Sequence, residues 1–460
     1  MTQFAGAGSF EDILERTRAV PPTTDFPGVD ELLASFVALQ QQNPSLIGSR
    51  RIGTSRLGET IPMYSIGSGT HQYLLFAGVH PNEPIGFRTL QHLATELTSD
   101  ESLRKAFDAT WHIVPCIDPD GTRLNETWYA SPEDRTFYAR HFYRPAPNEQ
   151  VEWTFPFAYR DAWFDRVMPE TLALMRVIDE VQPELMVSLH NAELGGVYYY
   201  LSSELDGAVE SLHAVAEAVG LPLDTGEPES PAIKQISPAV YQMISMADEY
   251  EFAETLGADP TTVVTGGDSS ASYAAKYGTL SMVAELPYWE HPDADDDTVT
   301  EISYASVLRK KADAFIRMGA TLQSVLDEAD LTLSTPFRRA SEAFVPFMST
   351  NGEHEHTRAD QLPVDRYATR AEAFSNEDVV RCFKLRYGGM VLRALDAEVA
   401  AGVATASTRR AQRRMSDIFE GWCEEARSVP NLSVIPVEKL IGVQYGATLA
   451  MARCLTDRTK

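Results

Sequence analysis

Two kinds of hydrophobic spacing alternate along the first 290 residues of the chain. Residues 28–43 place Leu32, Leu33, Phe36 and Leu39 at helical intervals, which predicts a helix. The Gly-punctuated stretch 52–67 then predicts a hairpin. Beyond it, four short runs rich in apolar and β-branched residues predict strands, namely Tyr73–Val79, Trp111–Ile117, Leu185–Leu189 and Leu280–Ala284.

Helical spacing lies between the predicted strands. The segment Pro84–Leu97, for example, carries Ile85, Leu90 and Leu93 on one face. Strands separated by helices are typical of α/β proteins, because parallel strands need a crossover connection that is long enough to hold a helix. The pattern therefore predicts a mixed, mostly parallel sheet flanked by helices.

The hydrophobic pattern changes near residue 335. A stretch rich in Pro and charged residues is followed by helical spacing alone, and Ser375 with Asp378 forms a signal for a helix N-terminus. We therefore expect two parts, an α/β domain over residues 1–335 and a mainly helical C-terminal region over residues 336–460.

The composition is that of a soluble globular protein with a large acidic excess. The chain has 39 Lys and Arg against 66 Asp and Glu, a formal net charge of −27. Such a charge repels phosphate backbones and anionic membrane leaflets, so neither nucleic acid nor a membrane is an expected partner. A basic strip within residues 409–414 faces solvent or a second subunit, which leaves the formation of a homo-oligomer open.

The cysteines and the N-terminus bear on the location of the protein. Cys116, Cys382, Cys423 and Cys454 form no CxxC pair, which argues against a disulfide framework or a thiolate zinc site. Acidic residues at positions 11 and 12 stand where a signal peptide would carry its apolar stretch, and no run of 18 apolar residues occurs. We expect reduced thiols and a cytoplasmic protein.

Several predicted strands end in residues that bind metals or transfer protons. His80 and Glu83 follow the first strand, His190 follows the third, and Glu285 ends the fourth. Ligands gather at the carboxyl ends of strands in open α/β sheets. Two imidazoles and one carboxylate form the open three-ligand set of a catalytic zinc, with Glu285 as a spare carboxylate. Taken singly, these residues also fit an exposed turn, a hydrogen-bonded histidine at the sheet end and an ion-paired carboxylate.

From about Gly28 to Pro292 the sequence resembles the zinc carboxypeptidase family, the funnelins related to pancreatic carboxypeptidase. The resemblance is carried by collinear segments, which read IGTSRLGETIPMYSIG, FAGVHPNE, PCIDPDGTRLN, SLHNAE and GGDSSASYAAKYGTLSMVAELP. It implies an α/β fold and an amide hydrolase that uses one Zn²⁺ per chain. It places the zinc on His80, Glu83 and His190, with Glu285 as the base that accepts a proton from the attacking water and returns it to the leaving amine. The expected zinc chemistry and proton relay agree with that assignment.

The sequence departs from the family pattern in several places. Asp118 replaces the asparagine of the family's N-P-D-G motif, and Ser188 replaces the aspartate two positions before the third ligand. The family's Asn-Arg pair, which holds the terminal carboxylate of the substrate, has no clear counterpart. The tyrosine that covers the substrate is also missing, because the corresponding stretch reads DPTTVVTGG.

Four arginines between Gly121 and His190 are candidates for the roles that remain. Arg144, and then Arg140, are the best candidates for bidentate capture of a carboxylate. Arg135 or Arg123 is the candidate for polarising the carbonyl, and Arg123 is also retained as a substrate-binding candidate. A surface arginine is the alternative for each.

Asp268 follows the Gly-Gly pair in the region that lines the side-chain pocket in the family. The resemblance thus points to a substrate with a basic or amino-bearing group. The alternative is an aspartate that caps a loop.

The leading functional expectation is a carboxypeptidase-type metallopeptidase that acts on a small peptide. The first alternative is a deacylase or amidase that uses the same zinc site on an N-acyl amino acid, a γ-glutamyl cell-wall peptide or a biosynthetic intermediate. The missing tyrosine and the missing secretion signal favour this alternative. A remote alternative is an inactive binding module, which would have lost a ligand or the base, whereas all four residues are present.

Overall fold

The computed structural model describes residues 6–257 and 259–458. Three short 3₁₀ turns accompany the helices, at Pro147–Glu149, Pro260–Val263 and Ala275–Tyr277. The helices are α1 (Phe10–Arg18), α2 (Val29–Gln42), α3 (Ile85–Ser99), α4 (Glu101–Phe107), α5 (Pro119–Arg123), α6 (Glu126–Tyr129), α7 (Arg135–His141), α8 (Pro169–Val181), α9 (Ala208–Ala218), α10 (Met246–Thr255), α11 (Ser270–Ala274), α12 (Tyr304–Glu328), α13 (Pro336–Asp360), α14 (Arg370–Ala400), α15 (Ala406–Arg427) and α16 (Val437–Arg458).

Most of the strands form one mixed sheet, and the others form three small two-stranded pairs. The strands are β1 (Ile47–Thr54), β2 (Thr60–Ile66), β3 (His71–Ala77), β4 (Ala109–Val114), β5 (Phe157–Tyr159), β6 (Ala162–Phe164), β7 (Leu185–Leu189), β8 (Tyr198–Leu201), β9 (Gln235–Ser237), β10 (Val240–Gln242), β11 (Leu280–Glu285), β12 (Trp289–Glu290), β13 (Val299–Ser303), β14 (Tyr367–Thr369) and β15 (Ser433–Val434).

The main sheet has nine strands in the order β1-β2-β4-β3-β7-β11-β8-β10-β9. Its centre, β4-β3-β7-β11, is parallel. The hairpin β1-β2 and the strand β8 add antiparallel pairs on the two sides. The predicted mixed sheet flanked by helices is therefore confirmed, and its parallel part lies where the sequence predicts strands. The central strands carry few polar side chains because helices cover both faces of the sheet.

The predicted helical character of the C-terminal region is confirmed. Four long helices, α12 to α15, pack mainly on one another, whereas α16 returns to the sheet and packs on α3, α9, β7 and β11. The position of a domain boundary at residue 335 stays a prediction. No described helix combines the length and the apolar composition needed to cross a membrane.

The start of α14 differs from its prediction. The helix begins six residues before the predicted signal, because Thr369 and Glu372 form a complete capping box. Ser375 lies inside the helix instead, where its hydroxyl accepts a hydrogen bond from the Glu227 amide at 2.9 Å. Two capping signals stand close together in this sequence, and the earlier one starts the helix.

Two glycines allow α16 to lie against α1. A Cβ added at Gly442 would lie 2.4 Å from the carbonyl oxygen of Thr17, and one added at Gly446 would lie 2.2 Å from its Oγ1. Since backbone cannot move aside like a flexible side chain, this contact requires glycine at position 442.

We expect Gly442→Ala to lower the free energy of unfolding by about 1–3 kcal/mol, because the new methyl group overpacks the α1–α16 contact. Gly421→Ala is the matched control, since that glycine lies in α15 with nothing within 4 Å of an added Cβ. The control should raise stability by up to about 1 kcal/mol through helix propensity. Urea denaturation measures both, and equal shifts would contradict the described packing of α16.

Candidate metal centre and active site

The turn that carries His80 and Glu83 leaves β3 through Gly78. The φ of Gly78 is +75°, a left-handed conformation, and a Cβ there would lie 3.2 Å from the Sγ of Cys116. The Glu83 amide donates to the His80 carbonyl at 3.0 Å, which closes the turn, and Pro84 precedes the first turn of α3. A short, rigid turn therefore holds both side chains at the carboxyl end of β3.

His190 reaches the same place from the neighbouring strand. Because β3 and β7 pair in parallel, their carboxyl ends lie side by side. His190 Nδ1 lies 3.3 Å from Glu83 Oε2, and the His80 and His190 ring centroids are 4.9 Å apart. One ligand atom from each of the three residues lies within 4.8 Å of the other two. The structure thus brings the three predicted ligands together.

The group fits a zinc ion by burial and by donor chemistry. His80, Glu83 and His190 are only 3%, 4% and 6% exposed, and His80 Nδ1 has no hydrogen-bond partner among the described residues. A buried polar atom without a partner is costly, and a metal ion would provide the partner. Two imidazole nitrogens and one carboxylate oxygen are a typical catalytic zinc set.

The protonation states of His80 and Glu83 agree with metal binding. Burial, together with the positive charge of Arg144, lowers the pKa of His80 well below its usual value, so its imidazole is neutral, the form that binds metals. Burial alone would raise the pKa of Glu83, but its neighbours His80, His190 and Arg144 hold it well below its usual range. Glu83 is therefore an ionised carboxylate in a buried site.

Ser188 orients the His190 ring. Its hydroxyl lies 2.8 Å from His190 Nε2, so the ring nitrogen that faces away from Glu83 has a fixed partner. Such partners set the orientation of histidine ligands. The serine, which stands where the resembling family has an aspartate, still provides a hydrogen bond to the ring.

Glu285 lies beside the three-residue group at the end of β11. Its Oε1 is 3.6 Å from His190 Nδ1, and the residue is 7% exposed. Burial raises the pKa of Glu285 well above its usual value, against the opposing effect of His190. A carboxyl group with a raised pKa, close to a metal group, suits proton transfer near neutral pH.

Arg144 lies on the other side of Glu83. Its Nη1 donates to Glu83 Oε1 at 2.8 Å, and its Nε donates to Gln150 Oε1 at 3.2 Å. Gln150 is itself fixed by a bond from its amide group to the Pro145 carbonyl at 2.8 Å. Among the four candidate arginines, Arg144 is therefore the one that the structure places in contact with the predicted ligands.

The structure does not bring Arg135 to this group. Its Nε donates to Glu193 Oε1 at 2.8 Å, and its two Nη atoms bind both carboxylate oxygens of Asp378 at 3.2 and 3.0 Å. The residue is 6% exposed. Three of its five N–H donors are thus used by buried carboxylates, and none of these hydrogen bonds is to His80, Glu83 or His190.

Arg140 and Arg123 are surface ion-pair partners in the structure. Arg140 pairs with Glu420 on α15 and lies over the Phe419 ring. Arg123 donates to Glu59 at 2.8 Å and to Asp30 at 2.7 Å. Neither side chain contacts the predicted zinc ligands. The contacts of both are those of surface arginines.

Asp268 caps a loop. Its Oδ1 accepts hydrogen bonds from the amides of Ser269 at 2.8 Å and Met246 at 3.3 Å. Its backbone also forms a bridge with Phe155. These contacts are those of an aspartate that caps a loop, and a role of Asp268 in substrate selection stays a prediction.

Sequence analysis missed a residue that supports His190 from α16. Gln444 is completely buried, donates to the His190 carbonyl at 2.7 Å and accepts from the Thr89 hydroxyl at 2.8 Å. It lies 254 positions after His190 and belongs to no motif. No signal in the sequence alone could have identified it.

A second support for the same loop comes from α14. Glu193, three residues after His190, accepts hydrogen bonds from Arg386 Nε at 2.6 Å and from the Cys382 thiol at 2.9 Å, in addition to that from Arg135. Two helices of the C-terminal region therefore hold the segment that carries His190.

The fold and this site define the class of protein. The family model described as "Zinc carboxypeptidase" matches residues 32–255, a stretch that includes His80, Glu83 and His190. Residues 32–255 therefore form a zinc carboxypeptidase domain, and the chain is a zinc hydrolase.

Solved structures from several organisms match part of this chain. A candidate metallopeptidase from Shewanella amazonensis is 14% identical, with a TM-score of 0.40, over 56% of this chain and 84% of its own. A metallo-carboxypeptidase from Burkholderia cenocepacia is 16% identical, with a TM-score of 0.35, over 56% of this chain and 60% of its own. The murein-tripeptide amidase MpaA from Escherichia coli O157 is 21% identical, with a TM-score of 0.28, over 52% of this chain and 83% of its own. A search of curated proteins finds no match.

We expect Gln444→Met to weaken zinc binding about tenfold or more, because supporting partners of metal ligands typically contribute 10–100-fold to affinity. The loss of the bond to a buried carbonyl should also lower stability by about 1–3 kcal/mol. Competition with a chromophoric chelator measures the zinc affinity, and thermal unfolding measures the stability.

Thr448→Val is the control for this prediction. Thr448 is also completely buried on α16, but its hydroxyl bonds only to the Gln444 carbonyl within the helix. It should change stability without changing zinc affinity. Unchanged zinc affinity in Gln444→Met would mean that Gln444 has only a packing role.

Proposed function

We propose that this zinc hydrolase is a carboxypeptidase-type metallopeptidase that cleaves an amide bond of a small peptide. The observation that supports this most is the arrangement of Glu285 and Arg144 on two sides of the group formed by His80, Glu83 and His190. A cytoplasmic location and a small peptide or acyl-amino-acid partner belong to the same proposal.

The residues divide the chemistry among them. A zinc ion held by His80, Glu83 and His190 would supply Lewis acidity and favour deprotonation of water. Glu285 accepts a proton on a carboxylate oxygen as water attacks the carbonyl carbon, and it returns that proton to the nitrogen of the leaving amine when the C–N bond breaks. The raised pKa of Glu285 suits both transfers, since the group must hold the proton between them.

Arg144 has two roles in this proposal. Its bond to Glu83 fixes the carboxylate ligand, and its planar guanidinium is the candidate to bind a substrate carboxylate in a bidentate manner. Arg140, Arg123 and Arg135 are engaged in ion pairs elsewhere. Among these four candidates, Arg144 alone contacts the ligand group, so it has to serve any substrate carboxylate.

This scarcity of arginines favours a second candidate function. An amidase or deacylase would use the same site on an N-acyl amino acid, a γ-glutamyl cell-wall peptide or a biosynthetic intermediate, and the missing substrate-covering tyrosine supports it as well. The two functions differ in the amide bond that is cleaved, and product analysis by mass spectrometry separates them.

We expect Glu285→Gln to lower kcat by about 10²–10⁴-fold while the zinc content stays near one per chain, because glutamine keeps the shape but cannot accept the proton. Glu301→Gln, an exposed carboxylate on β13, is the control for the change of charge. Zinc content, melting temperature and kcat should be measured on one preparation. If the Glu285→Gln variant loses zinc before it loses turnover, Glu285 is a metal ligand. If its kcat is undiminished, Glu285 takes no part in the mechanism.

We expect Arg144→Ala to raise the KM of a substrate with a free terminal carboxylate at least tenfold more than the KM of its amidated form, since the amide offers no negative charge to the guanidinium. Arg140→Ala is the matched control, because its ion pair with Glu420 lies away from the ligands. An equal rise in KM for both substrate forms would restrict Arg144 to holding Glu83.

A further inference from the structure

One face of the sheet beside Glu285 is lined by tyrosines. The strands β8 and β11 pair in antiparallel fashion, with Tyr198 opposite Glu285 and Tyr200 opposite Val283. Residues that lie directly opposite one another in such a pair project from the same face, with Cβ atoms about 4.5–5.5 Å apart. Since side chains alternate along a strand, Tyr198, Tyr200 and Glu285 share one face of the sheet.

These tyrosines hold a carboxylate from a separate loop. The Tyr198 hydroxyl donates to Glu229 Oε1 and the Tyr200 hydroxyl donates to Glu229 Oε2, each at 3.0 Å. Glu229 itself is exposed, and no basic side chain of the described residues forms an ion pair with it. Each carboxylate oxygen thus has one donor, and both keep lone pairs for a further donor.

The loop that carries Glu229 is fastened to the C-terminal region. Glu227 pairs with Arg358, its two carboxylate oxygens lie 2.8 and 2.7 Å from the Tyr304 hydroxyl, and its amide donates to Ser375. Asp224, at the start of the loop, accepts amide bonds from Gly226 at 2.9 Å and from Gly196 at 3.2 Å. The contacts of Glu227 and Asp224 therefore hold the backbone of this loop in place, so that the loop does not rely on the exposed side chain of Glu229.

A third tyrosine completes an aromatic wall at this place. Tyr241 on β10 lies with its ring centroid 6.3 Å from that of Tyr198 and 5.8 Å from that of Tyr200. Aromatic faces attract cations, and the attraction adds to that of a nearby carboxylate. The wall and the carboxylate therefore favour the same kind of ligand.

We infer that Glu229, with Tyr198, Tyr200 and Tyr241, forms a subsite for an ammonium or guanidinium group that the substrate carries near its scissile amide. This inference rests on the proposed hydrolase function, and it names the substrate class. It keeps the expectation of a basic substrate group but assigns its recognition to Glu229, since Asp268 caps a loop. A negatively charged substrate group is disfavoured here, because two carboxylates, Glu229 and Glu285, border the same face.

Two pairs of substrates test the subsite on the zinc-loaded enzyme. In one pair the amine side of the scissile bond differs, with N-benzoylglycyl-lysine against N-benzoylglycyl-norleucine. In the other the acyl side differs, with Nα-acetyl-lysyl-alanine against Nα-acetyl-norleucyl-alanine. We expect kcat/KM to favour lysine by tenfold or more in at least one pair, and Glu229→Gln to reduce that preference to below threefold with zinc content unchanged.

The control is Glu210→Gln, which removes the same charge from an exposed position on α9 and should keep the preference. Tyr198→Phe removes one hydrogen bond to Glu229 and should reduce the preference by a smaller factor. If Glu229 only anchors its loop, Glu229→Gln will lower kcat/KM equally for lysine and norleucine substrates, and that result overturns the subsite.

A binding measurement separates this inference from the proposed function. Calorimetric titration of the zinc-loaded chain with L-lysine and with L-norleucine needs no turnover. Tighter binding of lysine that is lost in Glu229→Gln supports the subsite even when no amide in the substrate set is cleaved. Cleavage without any discrimination in either pair, together with equal binding of the two amino acids, overturns the subsite and leaves the hydrolase function standing.

Discussion

The Glu83 side chain is negatively charged and only 4% exposed. Hydrogen-bond donors and charged neighbours compensate for the burial of its charge. An unpaired buried charge costs several kcal/mol or more, so partners must be held in place around it. Arg144 donates to one oxygen at 2.8 Å, while the Asn191 amide at 3.2 Å and His190 Nδ1 at 3.3 Å approach the other. These partners come from separate parts of the chain, so the sheet and its loops must be folded before Glu83 is stabilised.

The C-terminal region is part of this support. Gln444 on α16 bonds to the His190 carbonyl, Arg386 on α14 bonds to Glu193 in the same loop, and Ser375 on α14 accepts a bond from the loop of Glu229. Removing one partner of a buried pair typically costs more than the pair contributes, because the other group is left without a partner. The helices thus position the residues on both sides of Glu285 and do not merely extend the chain.

The sequence predicts the local features of the site well and the long-range ones poorly. His80, Glu83, His190 and Glu285 end strands whose hydrophobic runs are clear, and parallel pairing brings strand ends together. Arg135 and Arg140 could not be assigned in this way, since their partners Asp378 and Glu420 lie 243 and 280 positions away. Gln444 was missed for the same reason. The position of Tyr198 opposite Glu285 could not be predicted either, because it depends on the register of β8 against β11. Hydrophobic alternation alone does not fix that register.

The central claim is that His80, Glu83 and His190 bind one zinc ion at the carboxyl ends of β3 and β7. Anomalous diffraction from crystals of the zinc-loaded protein, recorded on both sides of the zinc absorption edge, tests it most directly. The account predicts one strong anomalous peak per chain, at about 2.0–2.2 Å from one atom of each of the three side chains. A fully loaded protein whose anomalous peak lies elsewhere, or whose peak lacks any one of these ligands, would contradict it.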